Sequence, residues 1–129
     1  MVSVILVSHG ALASGMLDAS QMIIGTQAQL SAISLAHDSH LETLQEAIEA
    51  AVTSMDDGDG VLLLADLLGG SPANTSARLL SDSIALVTGL NLPMLLEVLV
   101  NRANQSLSDL ARVAVESGRA GVMDIRDLL

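Results

Sequence analysis

The sequence lacks cysteine, lysine and the aromatic residues Phe, Trp and Tyr, so that all five of its basic residues are arginine. The absence of cysteine excludes disulfides and thiol chemistry. The absence of aromatic rings removes the stacking platforms on which single-stranded nucleic acids commonly bind. The absence of lysine removes the P-loop, Schiff-base and kinase-strand lysines, which disfavours ATP-using enzymes of the familiar kinds.

Net charge and hydropathy indicate which binding partners and which location to expect. Fifteen acidic residues against five basic ones give a formal net charge of -10, which repels nucleic acids and anionic membrane surfaces. No apolar run approaches the ~18 residues of a membrane-spanning helix, and the amino end lacks the basic residues of a signal peptide. We therefore expect a cytoplasmic protein without a nucleic-acid or membrane partner. Its 129 residues predict one domain over residues 1–129.

Apolar runs and helical periodicities alternate along the chain. The runs predict strands over Val2–Val7, Leu30–Leu35, Val61–Ala65 and Ile84–Val87, and a final short strand around 122–125. The periodicities predict helices over about 11–24, from a Ser39/Glu42 capping box to about 52, and over about 71–80, 91–101 and 106–116, the last ended by Gly118. This alternation predicts an α/β fold with a doubly wound, mostly parallel open sheet and helices on both faces.

The turn after the third predicted strand has the composition of an anion site. The buried run ends at Asp66, crosses Gly69 and Gly70, and reaches Ser71 and Pro72, which suit the N-cap and the first position of a helix. Free amides at a helix start, with glycines that let a ligand approach closely, can bind a phosphate-like group. The alternative interpretation is an ordinary strand-to-helix turn with an aspartate at its edge.

His9 follows the first predicted strand as Asp66 follows the third. In open α/β sheets, ligands bind beyond the carboxyl ends of the strands, where the strand order reverses. If these two strands are neighbours, the histidine and the aspartate enter the same crevice with Ser71 beside them. An imidazole, a carboxylate and an anion-binding turn together indicate a functional site more strongly than any one of them alone.

Three segments resemble the enzyme IIA domain of mannose-family sugar phosphotransferase systems: Ile5–Gly10, Asp66–Asn74 and Gly89–Leu95. The likeness covers nearly the whole chain, with the motifs in the family's order. The chain departs from it at Leu67 and Leu68, where many relatives carry a polar and an aromatic residue.

The resemblance implies a phosphotransferase component. In this reading His9 accepts a phosphoryl group from the phosphocarrier protein HPr and passes it to the IIB component, which serves the membrane components IIC and IID. Asp66 matches the acid paired with the histidine, and Ser71 the hydroxyl beside the phosphoryl group. The family fold also implies a homodimer that exchanges its last strand, which we expect to be antiparallel to the others.

The chemistry of these residues is consistent with that reading. A carboxylate that accepts the proton on Nδ1 fixes the tautomer and leaves Nε2 free as the nucleophile. The Ser71 hydroxyl and the backbone at Gly10, Gly69 and Gly70 are the candidate phosphoryl-binding groups. We expect neither a metal nor another cofactor, because the donor is already a phosphoprotein.

Other interpretations stay open. The chain also fits the related phosphotransfer subunit of dihydroxyacetone kinase, although those relatives usually lack the Gly-Gly-Ser-Pro sequence, or a regulatory module of a transcription activator that senses phosphorylation. His37 and His40 with Asp38 could be metal ligands, but two histidines three apart without an evident third ligand favour a solvated helix terminus.

Overall fold

Four parallel strands form one sheet at the centre of the computed structural model, which describes all residues from Met1 to Leu129. The order across the sheet is β2-β1-β3-β4. The strands are β1 (Ser3–His9), β2 (Leu30–Leu35), β3 (Val61–Ala65) and β4 (Ile84–Thr88). The chain runs from β1 outward to β2 and then returns to the other side of β1 to form β3, so the strand order reverses between β1 and β3. The predicted bounds of β2 and β3 are confirmed, whereas β1 begins one residue later than predicted and both β1 and β4 end later than predicted.

Five α-helices cover the two faces of the sheet, which confirms the predicted doubly wound α/β class. They are α1 (Leu12–Ile24), α2 (Leu41–Met55), α3 (Ser71–Ala77), α4 (Leu92–Asn101) and α5 (Leu107–Ala120). Side chains alternate along β1: Val4 and Leu6 pack with residues of α1, α4 and α5, whereas Ile5 and Val7 pack with α2. Each face therefore has its own aliphatic core. None of the helices combines the length and apolar character needed to cross a membrane.

Several predicted helix ends are wrong. The Ser39/Glu42 capping box does not form: His40 is the N-cap of α2, and no side chain caps this end. α3 ends at Ala77, three residues earlier than predicted. α5 continues through Gly118 to Ala120.

Gly118 does not end α5; it is needed for the packing of α5 against α4. A Cβ at this position would lie 2.7 Å from Cε of Met94 on α4, and its carbonyl accepts a 2.8 Å hydrogen bond from the Asn91 side chain. Gly118 therefore allows α4 and α5 to approach closely. The sequence alone had predicted that this glycine ends the helix.

The predicted last strand does not form within the single chain, and its exchange in a dimer stays a prediction. After Gly121 the backbone forms no sheet pairing and ends in a short 3-10 turn, Ile125–Leu128. The exposed large apolar side chains of this carboxyl-terminal tail are Val122, Met123, Ile125, Leu128 and Leu129. A strand exists only when another strand accepts and donates its hydrogen bonds, so apolar composition alone did not make one here.

Arg102 is the fully buried cation of the fold. It follows α4 and is 2% exposed. Its guanidinium donates to the carbonyl oxygens of Gln29 (2.8 Å), Val2 (3.4 Å) and Ala28, at the amino-terminal edge of the sheet. No carboxylate pairs with it, and burial lowers the pKa of the guanidinium. Arg102 thus satisfies backbone acceptors at the edge opposite to His9.

We expect Arg102→Ala to lower the free energy of unfolding by about 3 kcal/mol, because buried carbonyls lose their donors and a large side chain leaves a void. Denaturant unfolding measures this. Arg112→Ala is the matched control: its exposed side chain pairs only with Asp109, so we expect a change within about 0.5 kcal/mol. Equal effects of the two substitutions would contradict the structural role of Arg102.

Candidate active site

The site lies at the carboxyl edge of the sheet, where β1 and β3 are adjacent. His9 is the last residue of β1, and Asp66 directly follows β3. The parallel register pairs Val7 with Ala65, and the Asp66 N–H donates to the Val7 carbonyl oxygen at 3.2 Å. This register carries the histidine and the aspartate to the same point of the edge. Sequence reasoning expected the two side chains to share a crevice, and the structure brings them together.

One carboxylate oxygen of Asp66 makes hydrogen bonds to two different atoms of His9. Oδ2 lies 2.7 Å from Nδ1 of the His9 ring and accepts the backbone N–H of His9 at 2.9 Å. The first contact fixes the ring orientation and makes Nδ1 the proton-bearing nitrogen in the neutral imidazole. The second contact, which the sequence did not predict, fixes the backbone that carries the ring.

Burial differs sharply within this pair. The Asp66 side chain is 9% exposed, whereas that of His9 is 48% exposed. Oδ1 of Asp66 is buried and has no hydrogen-bond partner within the chain. Burial opposes ionisation of this carboxyl, but the hydrogen bonds from the backbone and ring of His9 outweigh it, and the pKa of Asp66 is lowered. The arrangement therefore places an ionised carboxylate behind an accessible imidazole.

Gly70 is required by the imidazole. A Cβ built on Gly70 would lie 2.8 Å from Cε1 and 3.5 Å from Nε2 of His9. Any side chain here would push the ring out of its position against Asp66, so the absence of a Cβ is a steric requirement of the site. The glycine also acts as the N-cap of α3, with extended backbone angles.

The amides near the ring are not equally available. The N–H of Gly10 donates to Leu35 O at 2.8 Å, and the N–H of Gly70 donates to Leu67 O at 3.1 Å. The N–H groups of Gly69 and Ser71 donate to no acceptor within the chain. Among the four residues predicted to bind a phosphoryl group, only Gly69 and Ser71 therefore have backbone donors to offer.

Ser71 is the first residue of α3 and not its N-cap, which corrects the sequence-based prediction. Gly70 already supplies the extended turn, so Ser71 and Pro72 both lie inside the helix. The Ser71 side chain is half-buried. It lines a groove of about 210 Å³ between α2 and α3. Its hydroxyl is thus free of the capping role, and it follows directly on the glycine that touches the ring.

Ser8 is a site residue that sequence reasoning missed. Its side chain is buried, and Oγ accepts the N–H of Ala13 in the first turn of α1 at 2.7 Å. This bond joins the end of β1 to the start of α1 across the His9–Gly10 turn. A serine five residues before its donor matches no standard cap pattern, so only the general tendency of serine to bond nearby backbone could have indicated it.

Exposed apolar side chains lie in the segments that follow His9 and Asp66 in the chain. Leu12 begins α1, and Leu67 and Leu68 lie in the turn after Asp66; all three are exposed. We call these three residues the apolar rim. His37 follows β2 and lies on the cleft beside His9, whereas His40 caps α2 without a side-chain bond. No group of three or more potential metal ligands comes together.

Comparison with known proteins identifies a family. The EIIA-man family model, described as PTS system fructose IIA component, matches residues 3–115. The mannose-specific EIIAB component of the PTS of Escherichia coli K12 is 34% identical over 128 residues, which cover 97% of this chain and 40% of that protein. The fructose-specific EIIA component of the PTS of Bacillus subtilis 168 is 35% identical over 112 residues, covering 85% and 77%. The chain thus spans about two fifths of the length of its E. coli relative.

Structural comparison agrees with the sequence comparison. The crystal structure of phosphotransferase system component EIIA from Streptococcus agalactiae superposes with a TM-score of 0.91 at 30% identity, covering 98% of this chain and 99% of that one.

The lowered pKa of Asp66 predicts a pH-dependent stability difference between the wild type and Asp66→Asn. Because the native pKa lies below the unfolded value of about 4, the contribution of the carboxylate is complete above that pH and is lost as pH falls through the native value. Denaturant unfolding of both proteins between about pH 3 and about pH 6 measures the difference. A difference that grows as pH falls would contradict this prediction.

Proposed function

The chain belongs to the PTS system fructose IIA component family, and we propose that it is a phosphocarrier whose phosphoryl acceptor is His9. A family member is a component of the sugar phosphotransferase system, so phosphoryl transfer is its general chemistry. The single observation that carries the assignment to His9 is the 2.7 Å contact between its Nδ1 and Asp66 Oδ2. That contact leaves Nε2 as the ring nitrogen with a free lone pair, on a side chain that is about half exposed.

The proposed step is an in-line exchange of one N–P bond for another. Nε2 of His9 attacks the phosphorus of a phosphohistidine on the donor protein, a bond to Nε2 forms, and the donor's N–P bond breaks. The donor imidazole leaves with the electron pair of that bond. The proton on Nδ1 of His9 stays in its hydrogen bond to Asp66, whose negative charge stabilises the positive charge that develops on the ring.

Backbone donors and one hydroxyl are the proposed phosphoryl-binding groups. The N–H groups of Gly69 and Ser71 are unbonded within the chain, and the Ser71 hydroxyl is adjacent to them. Each exposed interaction of this kind contributes modestly, about 0.3–1 kcal/mol at a helix terminus. Modest stabilisation suits a carrier, because a phosphohistidine that is held too firmly does not pass its phosphoryl group on. For Gly10 and Gly70, whose N–H groups are engaged, we propose a role in turn geometry.

The proposed partners are HPr as the donor and a IIB component as the acceptor, which in turn serves membrane components IIC and IID. The relative from E. coli carries the name EIIAB, which supports a B component as the next carrier. The apolar rim supplies a surface that partner proteins can bury. The cytoplasmic location inferred from the sequence stays a prediction.

We also propose a homodimer in which the carboxyl-terminal tail of each chain pairs with the sheet of the other. Apart from a bridge between Ser81 and Ile84, strand β4 has no partner on its outer edge. A groove of about 450 Å³ lies beside it and includes Leu86, Met94 and Val122 in its lining. An antiparallel strand from a second copy would satisfy the edge and bury the apolar tail.

Phosphorylation of His9 is tested by incubating the chain with labelled phosphoenolpyruvate, enzyme I and HPr and mapping the label. We expect acid-labile phosphate on His9 and none on His9→Ala. His40→Ala is the matched control and should label like the wild type. Label on His37 or His40 instead of His9 would refute the assignment. In the same assay Asp66→Ala should slow labelling by about a hundredfold, since the tautomer is no longer fixed.

The labelled protein also separates the remaining interpretations. Onward transfer to a IIB component supports the proposed carrier. Transfer only to a dihydroxyacetone kinase subunit supports the related subunit, and label that moves to neither protein supports a regulatory module.

The dimer is tested by light scattering of the intact chain and of a chain that lacks residues 122–129. We expect the intact chain at twice its monomer mass and the shortened chain at the monomer mass, because the tail supplies the intersubunit pairing. A monomeric intact chain would overturn the proposal.

A further inference from the structure

His37 shares a cleft with His9. The cleft has a volume of about 380 Å³ and is lined by His9, Gly10, Leu35, Ala36 and His37. Its position is anchored, because the β1–β2 register pairs His9 with Leu35 and the Gly10 N–H donates to Leu35 O at 2.8 Å. Leu35 is therefore fixed beside the proposed acceptor His9, and His37 follows Leu35 by two residues.

Arginines are the only side chains of this protein that are permanently positive, and none of them lines this cleft. Arg102 is buried on backbone carbonyls at the opposite edge of the sheet. The other arginines lie outside it: Arg78 lines the groove between α2 and α3 together with Ser71, and Arg119 lines the groove beside β4. Arg112 pairs with Asp109, and Arg126 pairs with Asp124. His37 is thus the one side chain of the cleft, apart from His9 itself, that can carry positive charge.

We propose that protonated His37 is the cationic partner of the phosphoryl group on His9. This inference rests on the proposed function. A phosphoryl group brings nearly two negative charges into a protein that already carries a formal net charge of -10. A nearby imidazolium offsets that charge, and histidine can supply it near neutral pH. The phosphorylated state therefore binds a proton at His37 more tightly than the unphosphorylated state does, and protonation in turn favours phosphorylation.

The other titratable groups around His37 do not replace this pairing. Asp66 is behind the His9 ring and is engaged by it. Asp38 and His40 are exposed on the same connection, and Glu42 lines the groove between α2 and α3, which also includes Arg78. The His37 side chain is exposed and makes no hydrogen bond within the chain, so its new charge partner appears only with the phosphoryl group.

The direct test is an NMR titration of the histidine Cε1–H signals in the intact protein, unphosphorylated and phosphorylated by phosphoenolpyruvate, enzyme I and HPr. We expect the His37 midpoint to rise by about 0.5 pH unit or more on phosphorylation, as two opposite charges across a solvated cleft predict. His40 is the internal control and should shift by less than half as much. Equal midpoints of His37 in the two forms would overturn the inference.

A second measurement uses the partition of phosphate between HPr and this chain at equilibrium. Relative to His37→Gln, the wild type should take up about threefold more phosphate at about pH 6 than at about pH 8, since half a pH unit of coupling corresponds to that factor. The ratio of the two proteins cancels the pH dependence of HPr itself. His40→Gln is the matched variant and should retain the wild-type profile.

The outcomes separate the inference from the function on which it rests. A chain that takes no label on His9 overturns both. Labelled His9 with identical pH profiles for the wild type and His37→Gln overturns the role of His37 alone. The role is also contradicted if the phosphate partition of His37→Gln differs from that of the wild type by the same factor at every pH. Loss of a titrating charge should change the partition only at pH values where His37 is protonated.

Discussion

The site depends on one carboxylate oxygen that accepts two hydrogen bonds from the same residue. Oδ2 of Asp66 binds both the ring and the backbone N–H of His9, so that the orientation of the imidazole and the course of the chain beneath it are fixed together. This requires β1 and β3 to be neighbours in a fixed register. The two aliphatic cores supply that register, since they bury both faces of these central strands.

Strand composition made the central sheet predictable. Apolar runs such as Val61–Ala65 are short, are bounded by turn residues and have no polar position, which is typical of a strand covered on both sides. The rule that sites form where the strand order reverses then predicted the meeting of His9 and Asp66, which the structure shows. Roles in phosphoryl binding stay predictions, and the structure restricts them by showing which amides are already engaged.

Contacts that depend on the backbone or on a neighbouring element could not be predicted from the sequence. The cap of α3 is a glycine instead of the preferred serine, because the imidazole leaves no room for a side chain at Gly70. Gly118 looked like a helix stop, yet it serves the close packing of α4 on α5. The tail at 122–129 is apolar enough for a strand, but a strand is defined by its partner, and a single sequence does not specify that partner.

The unpartnered Oδ1 of Asp66 has a consequence for the proposed chemistry. A carboxylate whose two oxygens are both hydrogen-bonded spreads its charge over several donors, whereas here Oδ1 has none within the chain and Oδ2 faces only His9. Its negative charge is therefore directed at the imidazole from a side chain that is itself largely removed from solvent. Phosphorylation of Nε2 would make the ring more positive, so this undivided charge would act most strongly when the phosphoryl group is present. On the proposed function, the unpartnered buried oxygen is a cost in the unphosphorylated site, and it would strengthen the support that Asp66 gives to a phosphorylated ring.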